Sequence, residues 1–388
     1  MGKMRIIPNI KVNYSLWDII KSLFIRSQGY YIEKTKNTIA HIFHNRNIIF
    51  TCSGRSALFH VLSVLPQNKV VVPAYTCDVV VEAAKLAGKS VVYAHVDKES
   101  LNIAKVPSVD NDSIVIATHQ YGFPCKIKDI CEFCKERGAI VIEDCAGALG
   151  TFVDGQPAGT YGDYAVFSFN ASKLINSPAS GGFILVNKED KYTSLRMSID
   201  FKPCTFKYKY VNLCKSLAFC LDKHDHIHYW LSKATRHDAT KAHISADSYS
   251  PNKTQLEEYR FGFYNWQAYV VLKQLERLPY LLEQRETLSR IYQEKLHYNL
   301  EAFNRQKSCI RYPIYIENRE ETRFRLREKG IEIGFGFEHF VCPDDFTDEI
   351  TMAQRIAYLP YGSNFSEKEI NYIVHVLNED LNEQSSNT

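Results

Sequence analysis

From Ile48 onward the chain alternates short β-branched runs with amphipathic helical segments, and that cadence restricts the fold more than any other feature. IIFT precedes SALFHVLSVL, KVVVP precedes DVVVEAAKLAG, and SVVYAHV follows. SIVIATH then leads to KIKDICEFCKERG and on to AIVIED. Runs that are apolar throughout suit strands buried on both faces, with the helices between them as crossovers. The pattern therefore predicts βα units and a mainly parallel sheet, an α/β fold. In such sheets ligands bind beyond the carboxyl ends of the strands. A length of 388 residues leaves chain for one large domain and a smaller one.

Polar clusters fall directly after these strands. Thr51-Cys52-Ser53-Gly54-Arg55-Ser56 joins a strand to a helix with small residues, leaving backbone N–H groups at a helix N-terminus for a phosphate. An ordinary N-cap on Ser53 is the plainer alternative. Pro73-Ala74-Tyr75-Thr76-Cys77 follows the next strand, and its loop could lie against a flat ring. His119-Gln120-Tyr121-Gly122 comes after SIVIAT, where a lone histidine is more often structural. Glu143-Asp144 ends AIVIED, and an acid at a buried strand end requires a partner. A protonated pyridine nitrogen would be one. Last comes YAVFSFNASKLINSPASGG, from Tyr164 to Gly182, with Ser168 ending one apolar strand and Lys173 in the loop before the next. A lone loop lysine is usually a surface residue. A desolvated one has a lowered pKa and forms Schiff bases. A phosphate cradle, a buried Asp, a Ser and a Lys on successive strand ends are together far more specific than any one of them.

Several classes are disfavoured. A formal charge of +3 with no basic run gives no footing for nucleic acid. Eleven scattered cysteines suit reduced thiols. Cys131 and Cys134 form a C-x-x-C, but Ile127, Ile130, Cys131 and Cys134 share one helical face, so core packing is the expectation. The histidines at 224, 226 and 228 alternate faces on a helix, and no metal site is expected. No signal-type leader and no 18-residue apolar run stand out, so a cytoplasmic protein is expected.

Taken together, the chain resembles the DegT/DnrJ/EryC1/StrS family of pyridoxal-phosphate-dependent sugar aminotransferases along nearly its whole length. SGRSAL resembles the family's S-G-T-x-A-L, VVVPAYTC its strand followed by P-x-x-T, and HQYG its H-L-[FY]-G. AIVIEDCAGALG resembles V-I-E-D-A-A-Q-A-x-G, and GDYAVFSFNASK…SGG resembles G-D…F-S-F…K…G-G. NWQAYVVLKQLERL with Arg285 resembles a later helix, and GIEIG with AYLPYGSNFSEKEINYIVHVL its small C-terminal domain.

The resemblance implies the type I fold of pyridoxal-phosphate-dependent transferases, with a mainly parallel seven-stranded sheet and a small C-terminal α+β domain. Lys173 would be the Schiff-base lysine and proton carrier, and Asp144 the partner of the pyridine N–H. Gly54, Arg55 and Ser168 would bind the phosphate, and His119 would shape the pocket. Where the family commonly stacks an aromatic residue this chain has Cys77, so Tyr75 or Tyr121 would have to serve. The glutamine near the phenolic oxygen is replaced by Gly147. The family's G-x-N-Y-R segment, which reaches a neighbouring subunit's phosphate, corresponds to Tyr259-Arg260-Phe261, with Arg260 in the asparagine's place. A homodimer with shared sites is implied.

The expected organisation is a large domain over residues 1–255, with an arm at 1–47 and an insertion at about 190–255. A long helix near 262–297 then leads into the small domain within 256–388, and the tail NEQSSNT is expected to be disordered. Leu16, Trp17, Ile20, Leu23 and Phe24 form one apolar stripe, with Ser15 and Asp18 as a capping box. In the insertion, longer than the family's usual segment, Tyr210, Val211, Leu213, Cys214, Leu217, Ala218 and Leu221 form another, flanked by lysines. It would pack on the body or at a dimer contact; a membrane-surface contact through 207–223, or a lid, is the alternative.

The expected activity is transfer of an amino group from an amino acid, glutamate foremost, to a nucleotide-linked keto-sugar in amino-sugar or surface-polysaccharide synthesis. A dehydratase of the same family, a branch that tends to replace the lysine with histidine, is one alternative. A non-catalytic cofactor-binding or regulatory protein, suggested by positions 77, 147 and 260, is another.

Overall fold

The computed structural model describes residues 5–26, 29–234, 243–296, 310–337 and 339–385. The predicted cadence becomes a seven-stranded sheet. Its strands are β1 (Ile48–Thr51), β2 (Lys69–Pro73), β3 (Ser90–Ala94), β4 (Ser113–Thr118), β5 (Ile140–Asp144), β6 (Tyr164–Ser168) and β7 (Gly182–Val186), in the order β1-β7-β6-β5-β4-β2-β3. Only β7 runs antiparallel to its neighbours. Every residue of β1, β4 and β7 is buried, which is why those runs read as continuous apolar sequence rather than alternation.

Helices cover the sheet. In the first half these are α1 (Leu16–Phe24), α2 (Tyr30–Phe43), α3 (Gly54–Val64), α4 (Asp78–Leu86) and α5 (Ile127–Lys135). As expected, α5 turns Ile127, Ile130 and Cys134 into the core, and Cys131 is partly buried beside them. The insertion contributes α6 (Glu189–Ser198), α7 (Phe206–Asp222), α8 (Asp225–Ala234) and a short strand, His243–Ser245, that pairs with Phe340–Cys342 of the C-terminal unit.

In place of one long helix near 262–297, two follow the short α9 (Gln255–Tyr259): α10 (Asn265–Leu275) and α11 (Leu278–Lys295). Pro279 sits in the first turn of α11, where its missing N–H is tolerated; inside a continuous helix it would break the ladder. The C-terminal unit has a three-stranded sheet (Tyr312–Tyr315, Ile356–Leu359, Gly334–Phe335) with α12 (Arg319–Glu328), α13 (Thr347–Arg355) and α14 (Glu367–Ser385). The expected disordered tail is corrected in part: α14 continues through Ser385, and the last three residues lie outside the described ones.

The N-terminal segment straps the two units together. Ile7 exchanges backbone hydrogen bonds with Gly330 and Glu332 of the C-terminal unit, and Asn13 bonds Asn176 and Leu174 beside Lys173.

Both predicted apolar stripes form helices but bury a different face. In α1, capped by Ser15 and Asp18 as expected, Ile19 and Ser22 are buried against α10, while Trp17 is 67% and Phe24 80% exposed. In α7 only Leu213 of the expected set is fully buried. Its inner face is Leu213, Ser216 and Cys220, and Phe206 is 74% exposed. Ser216 accepts the Ala179 N–H and its carbonyl accepts the Tyr14 hydroxyl, so the insertion packs on the body.

Candidate active site

A cavity of about 250 Å³ opens beyond the carboxyl ends of β1, β2, β4, β5 and β6, closed from the other side by Ile310, Arg311 and Phe337 of the C-terminal unit. Gly54, Arg55, Cys77, His119, Asp144, Ser168 and Lys173 all line it. Arg260 does not. It ends α9 on the outside, half-exposed, with Nη1 3.7 Å from Glu257.

At one end stands the N-terminus of α3. Ser53 is its N-cap, accepting the Ser56 N–H at 3.1 Å, so the plain capping role holds. The cap leaves the first N–H groups, those of Gly54 and Arg55, without intrahelical partners. A Cβ on Gly54 would stand 2.9 Å from the Ser168 Cβ, so only glycine lets the helix end approach the serine this closely. Backbone donors, a hydroxyl and a positive helix end converge there, a suitable cradle for a dianion. Arg55 sits at its rim, 4.0 Å from Glu82.

Asp144 ends β5, where the parallel ladder holds it beside Thr118 on β4 and Val166 on β6. Its Oδ1 accepts the Ala146 N–H at 3.0 Å, and it makes no ion pair among the described residues. Burial pushes its carboxyl pKa up, an effect that the Ala146 N–H and the Lys173 charge oppose. A buried acid with no ion pair among the described residues is costly unless a cation meets it.

Glu143, the residue before it, points to the other face and is fully committed. It accepts the N–H groups of Gly159, Tyr161 and Gly162 at 2.7–2.8 Å and bonds His119 Nε2 at 3.0 Å. His119 Nδ1 accepts the Cys125 N–H, so both ring nitrogens are used and the ring is a braced wall of the cavity. Cys145 lies close to the pair, but with Glu143 and His119 engaged in this way the trio offers a metal no free ligand set.

Lys173 has no ion pair among the described residues, and burial, then the neighbouring Arg311 charge, push its pKa below the ordinary lysine value. Its loop is held by backbone contacts. Asn176 Nδ2 donates to the carbonyls of Asn170, Ala171 and Lys173 at 3.2, 3.0 and 2.6 Å. Two glutamines of α10, seven positions apart and so on one face, clamp the loop from outside. Gln274 bonds both the N–H and the C=O of Asn176, at 2.9 and 2.7 Å, and Gln267 donates to Pro178 and Ser180. Ala179 (φ 74°) and Ser180 (φ 110°) occupy left-handed backbone that non-glycine residues adopt only when held there. Gln274→Ala would orphan two fully buried backbone groups and lower the unfolding free energy by about 2–4 kcal/mol. A urea melt with a lower midpoint at unchanged slope is the expected result; an unshifted midpoint refutes the clamp.

The two tyrosines expected to serve in ring stacking differ in position. Tyr75 is buried beneath the site, its hydroxyl 2.6 Å from that of Tyr121, and does not reach the cavity. Tyr121, itself in left-handed backbone (φ 54°), and Phe337 provide the aromatic walls, their centroids 5.7 Å apart. Burial pushes the Cys77 thiol up to about 11, so at neutral pH it is an uncharged apolar contact. Gly147 leaves room that Ile310 fills: a Cβ there would lie 3.0 Å from Ile310 Cδ1. Arg311 and Phe337 were missed in the sequence, although a lone arginine entering the apolar run YPIY was a readable signal.

Among solved structures this architecture matches a putative sugar aminotransferase from Streptococcus pneumoniae in its PLP form, with a TM-score of 0.72 and 16% identity over 96% of this chain and 98% of that one. The fold is that of the type I pyridoxal-phosphate-dependent transferases. A family model for the DegT/DnrJ/EryC1/StrS aminotransferases matches residues 11–213, and the chain belongs to that family.

A GDP-perosamine synthase from Vibrio cholerae is 32% identical over 179 residues, 44% of this chain and 48% of that protein. The chain thus spans about half the length of the first curated relatives it matches. A protein named pleiotropic regulatory protein, from Geobacillus stearothermophilus, is 24% identical over 343 residues, 80% of this chain and 91% of that protein. No helix among the described residues is long and apolar enough to cross a membrane.

Proposed function

We propose that this chain is a cytoplasmic pyridoxal-phosphate-dependent aminotransferase that moves an amino group from an amino acid, glutamate foremost, to a nucleotide-linked keto-sugar. One observation carries the reading: an amine of lowered pKa, Lys173, and an acid with no ion pair among the described residues, Asp144, face one cavity that ends in a helix N-terminus. The residues fit the cofactor on three separate counts. Gly54 and Ser168 leave a cradle of phosphate character, Asp144 supplies the charge that a protonated ring nitrogen matches, and Lys173 supplies the amine. Bound there, pyridoxal phosphate would supply an aldehyde that carries the amine and a ring that accepts electrons.

The chain's own residues do the rest. Lys173 Nζ, neutral more readily than an exposed lysine, would accept the proton that leaves the amine-bearing carbon of the donor and would return one to the carbon that gains the amine in the second half-reaction. Asp144 would pair with the ring nitrogen and keep it charged. Tyr121, Phe337 and Cys77 present an uncharged wall that excludes water.

The regulatory-protein reading has the name of the Geobacillus relative in its favour, but a binding role alone requires no free, desolvated amine beside the acid. Both readings are tested on cofactor-loaded protein. It is expected to be yellow, to bleach with glutamate, and then to aminate a nucleotide-linked keto-sugar, read by mass. Colour without response to any amino acid would favour the binding protein, and loss of a sugar hydroxyl without gain of an amine would favour the dehydratase.

Two chains complete the site in this reading. Arg260, outside the cavity of its own chain, would be presented to the partner, and the exposed faces of α1 and α7 supply apolar surface for the contact. A monomer by light scattering that still aminates sugar would refute it. Binding of anionic vesicles through 207–223 would instead support the membrane alternative.

A further inference from the structure

Two buried polar atoms at and just beyond the end of β4, Thr118 Oγ1 and Gln120 Nε2, have no hydrogen-bond partner among the described residues, and both side chains line the cavity. Gln120 is 2% exposed and its backbone is tied on both sides: its N–H donates to Asn102 and its carbonyl accepts the Phe123 N–H. The side-chain amide is thus held at the cavity wall with a donor unspent. The Tyr121 hydroxyl lies near enough to feel that amide, but Tyr75 holds it at 2.6 Å instead. A buried donor left unpaired is costly, so an amide kept there implies an acceptor that arrives with a ligand.

The strand order indicates which acceptor. Ser168 ends β6, Asp144 ends β5 and Gln120 follows β4, and these three strands are neighbours in the sheet. On pyridoxal phosphate the phosphate arm and the phenolic oxygen sit on either side of the line from the ring nitrogen to the aldehyde carbon. A ring with its phosphate at β6 and its nitrogen at β5 therefore turns its phenolic side toward β4. Thr118 stands beside Asp144 in the ladder, at the nitrogen, and Gln120 lies two residues further out. Gly147 and Ile310, which close the wall near this turn, offer no polar side chain. We propose that Gln120 is a cofactor-binding residue whose amide donates to the phenolic oxygen of pyridoxal phosphate. That oxygen shares a proton with the nitrogen of the Lys173 linkage. Once the proton leaves, the oxygen bears an uncompensated negative charge, and a donor to it makes the loss easier.

This inference rests on the cofactor assignment in the aminotransferase reading, but its test does not need turnover. Cofactor-loaded wild type and Gln120→Leu are titrated with base while the visible band is followed. The variant should lose the shared proton about one pH unit later than wild type, as expected for one hydrogen bond to a charged group. Melting supplies a second readout, whose sign separates binding from bracing. Without cofactor, Gln120→Leu should be at least as stable as wild type, because an unpaired buried donor has gone. Adding pyridoxal phosphate should then raise its melting temperature less than it raises that of wild type. Gln120→Met, unbranched and adaptable in shape, carries the test if the leucine variant does not fold.

A visible band that titrates in the variant as it does in wild type overturns the proposal. So does a Gln120→Leu protein that loses as much stability without cofactor as with it, which would make the amide a brace of its own turn. Failure of the aminotransferase reading would appear separately, as a wild-type protein whose band responds to Gln120→Leu as expected but which transfers no amine.

Discussion

Lys173→Ala is expected to abolish amine transfer while leaving the protein folded. Acid–base catalysis by one positioned group is worth ~10²–10⁴-fold, and Lys173 is also the covalent anchor in this reading, so a loss beyond ~10⁴-fold in kcat is expected. The fold should survive because the loop is held through main-chain atoms. Asn176 binds the Lys173 carbonyl, the Lys173 N–H binds Asn170, and Gln274 binds Asn176, all without the lysine side chain. A readout independent of turnover is borohydride treatment of cofactor-loaded protein followed by peptide mass. The wild-type peptide containing Lys173 should retain the reduced cofactor, and the variant should carry none. Label on another lysine, or transfer within tenfold of wild type, would overturn the assignment.

Asp144→Asn should have the second largest effect. An amide keeps the shape and the Ala146 contact but cannot hold a positive charge on the ring nitrogen, so kcat should fall by ~10²–10³-fold, the range for losing one electrostatic contact in a desolvated site. The stability of the cofactor-free protein supplies the second arm. Burial raises the Asp144 pKa in the folded state. A carboxyl raised above its unfolded value of ~3.9 favours folding most fully below that pH, and the contribution is lost as pH climbs through the raised value. Cofactor-free wild type should therefore lose stability relative to Asp144→Asn as the pH rises above ~4. A bound cation at the ring nitrogen should cancel that loss. Melting temperatures against pH, with and without cofactor, read both arms. Parallel curves would show that Asp144 carries no unpaired charge in the folded protein.

Much of the site was legible because each part is local. Gly54, His119, Asp144 and Ser168 each sit at or just beyond the end of an apolar run, and an α/β sheet brings such ends together whatever the helices between them do. Cys77 was legible in the same way, and its neutrality followed once its burial was known. Tyr75 was not legible in this way. It lies two residues before Cys77 in the same loop, yet its ring turns beneath the site to meet Tyr121, a direction set by Phe337 and Phe340 more than 250 residues away. The two helical stripes failed similarly. Periodicity identified α1 and α7 as amphipathic, but a helix with apolar residues on more than one face does not specify which face meets its neighbour.

The sequence by itself determined the parallel sheet, the order of its strand-end clusters and the placement of Asp144 and Lys173 beyond strand ends of that sheet, because buried β-branched runs and their flanking turns leave few other arrangements. Tertiary structure alone decided that Arg311 and Phe337 close the cavity, that Gln267 and Gln274 grip the lysine loop, and that Arg260 stays outside it. Those contacts join residues roughly a hundred or more positions apart, and their partners are chosen by how the C-terminal unit, α10 and the N-terminal strap pack on the sheet. No local pattern in the chain encodes that choice.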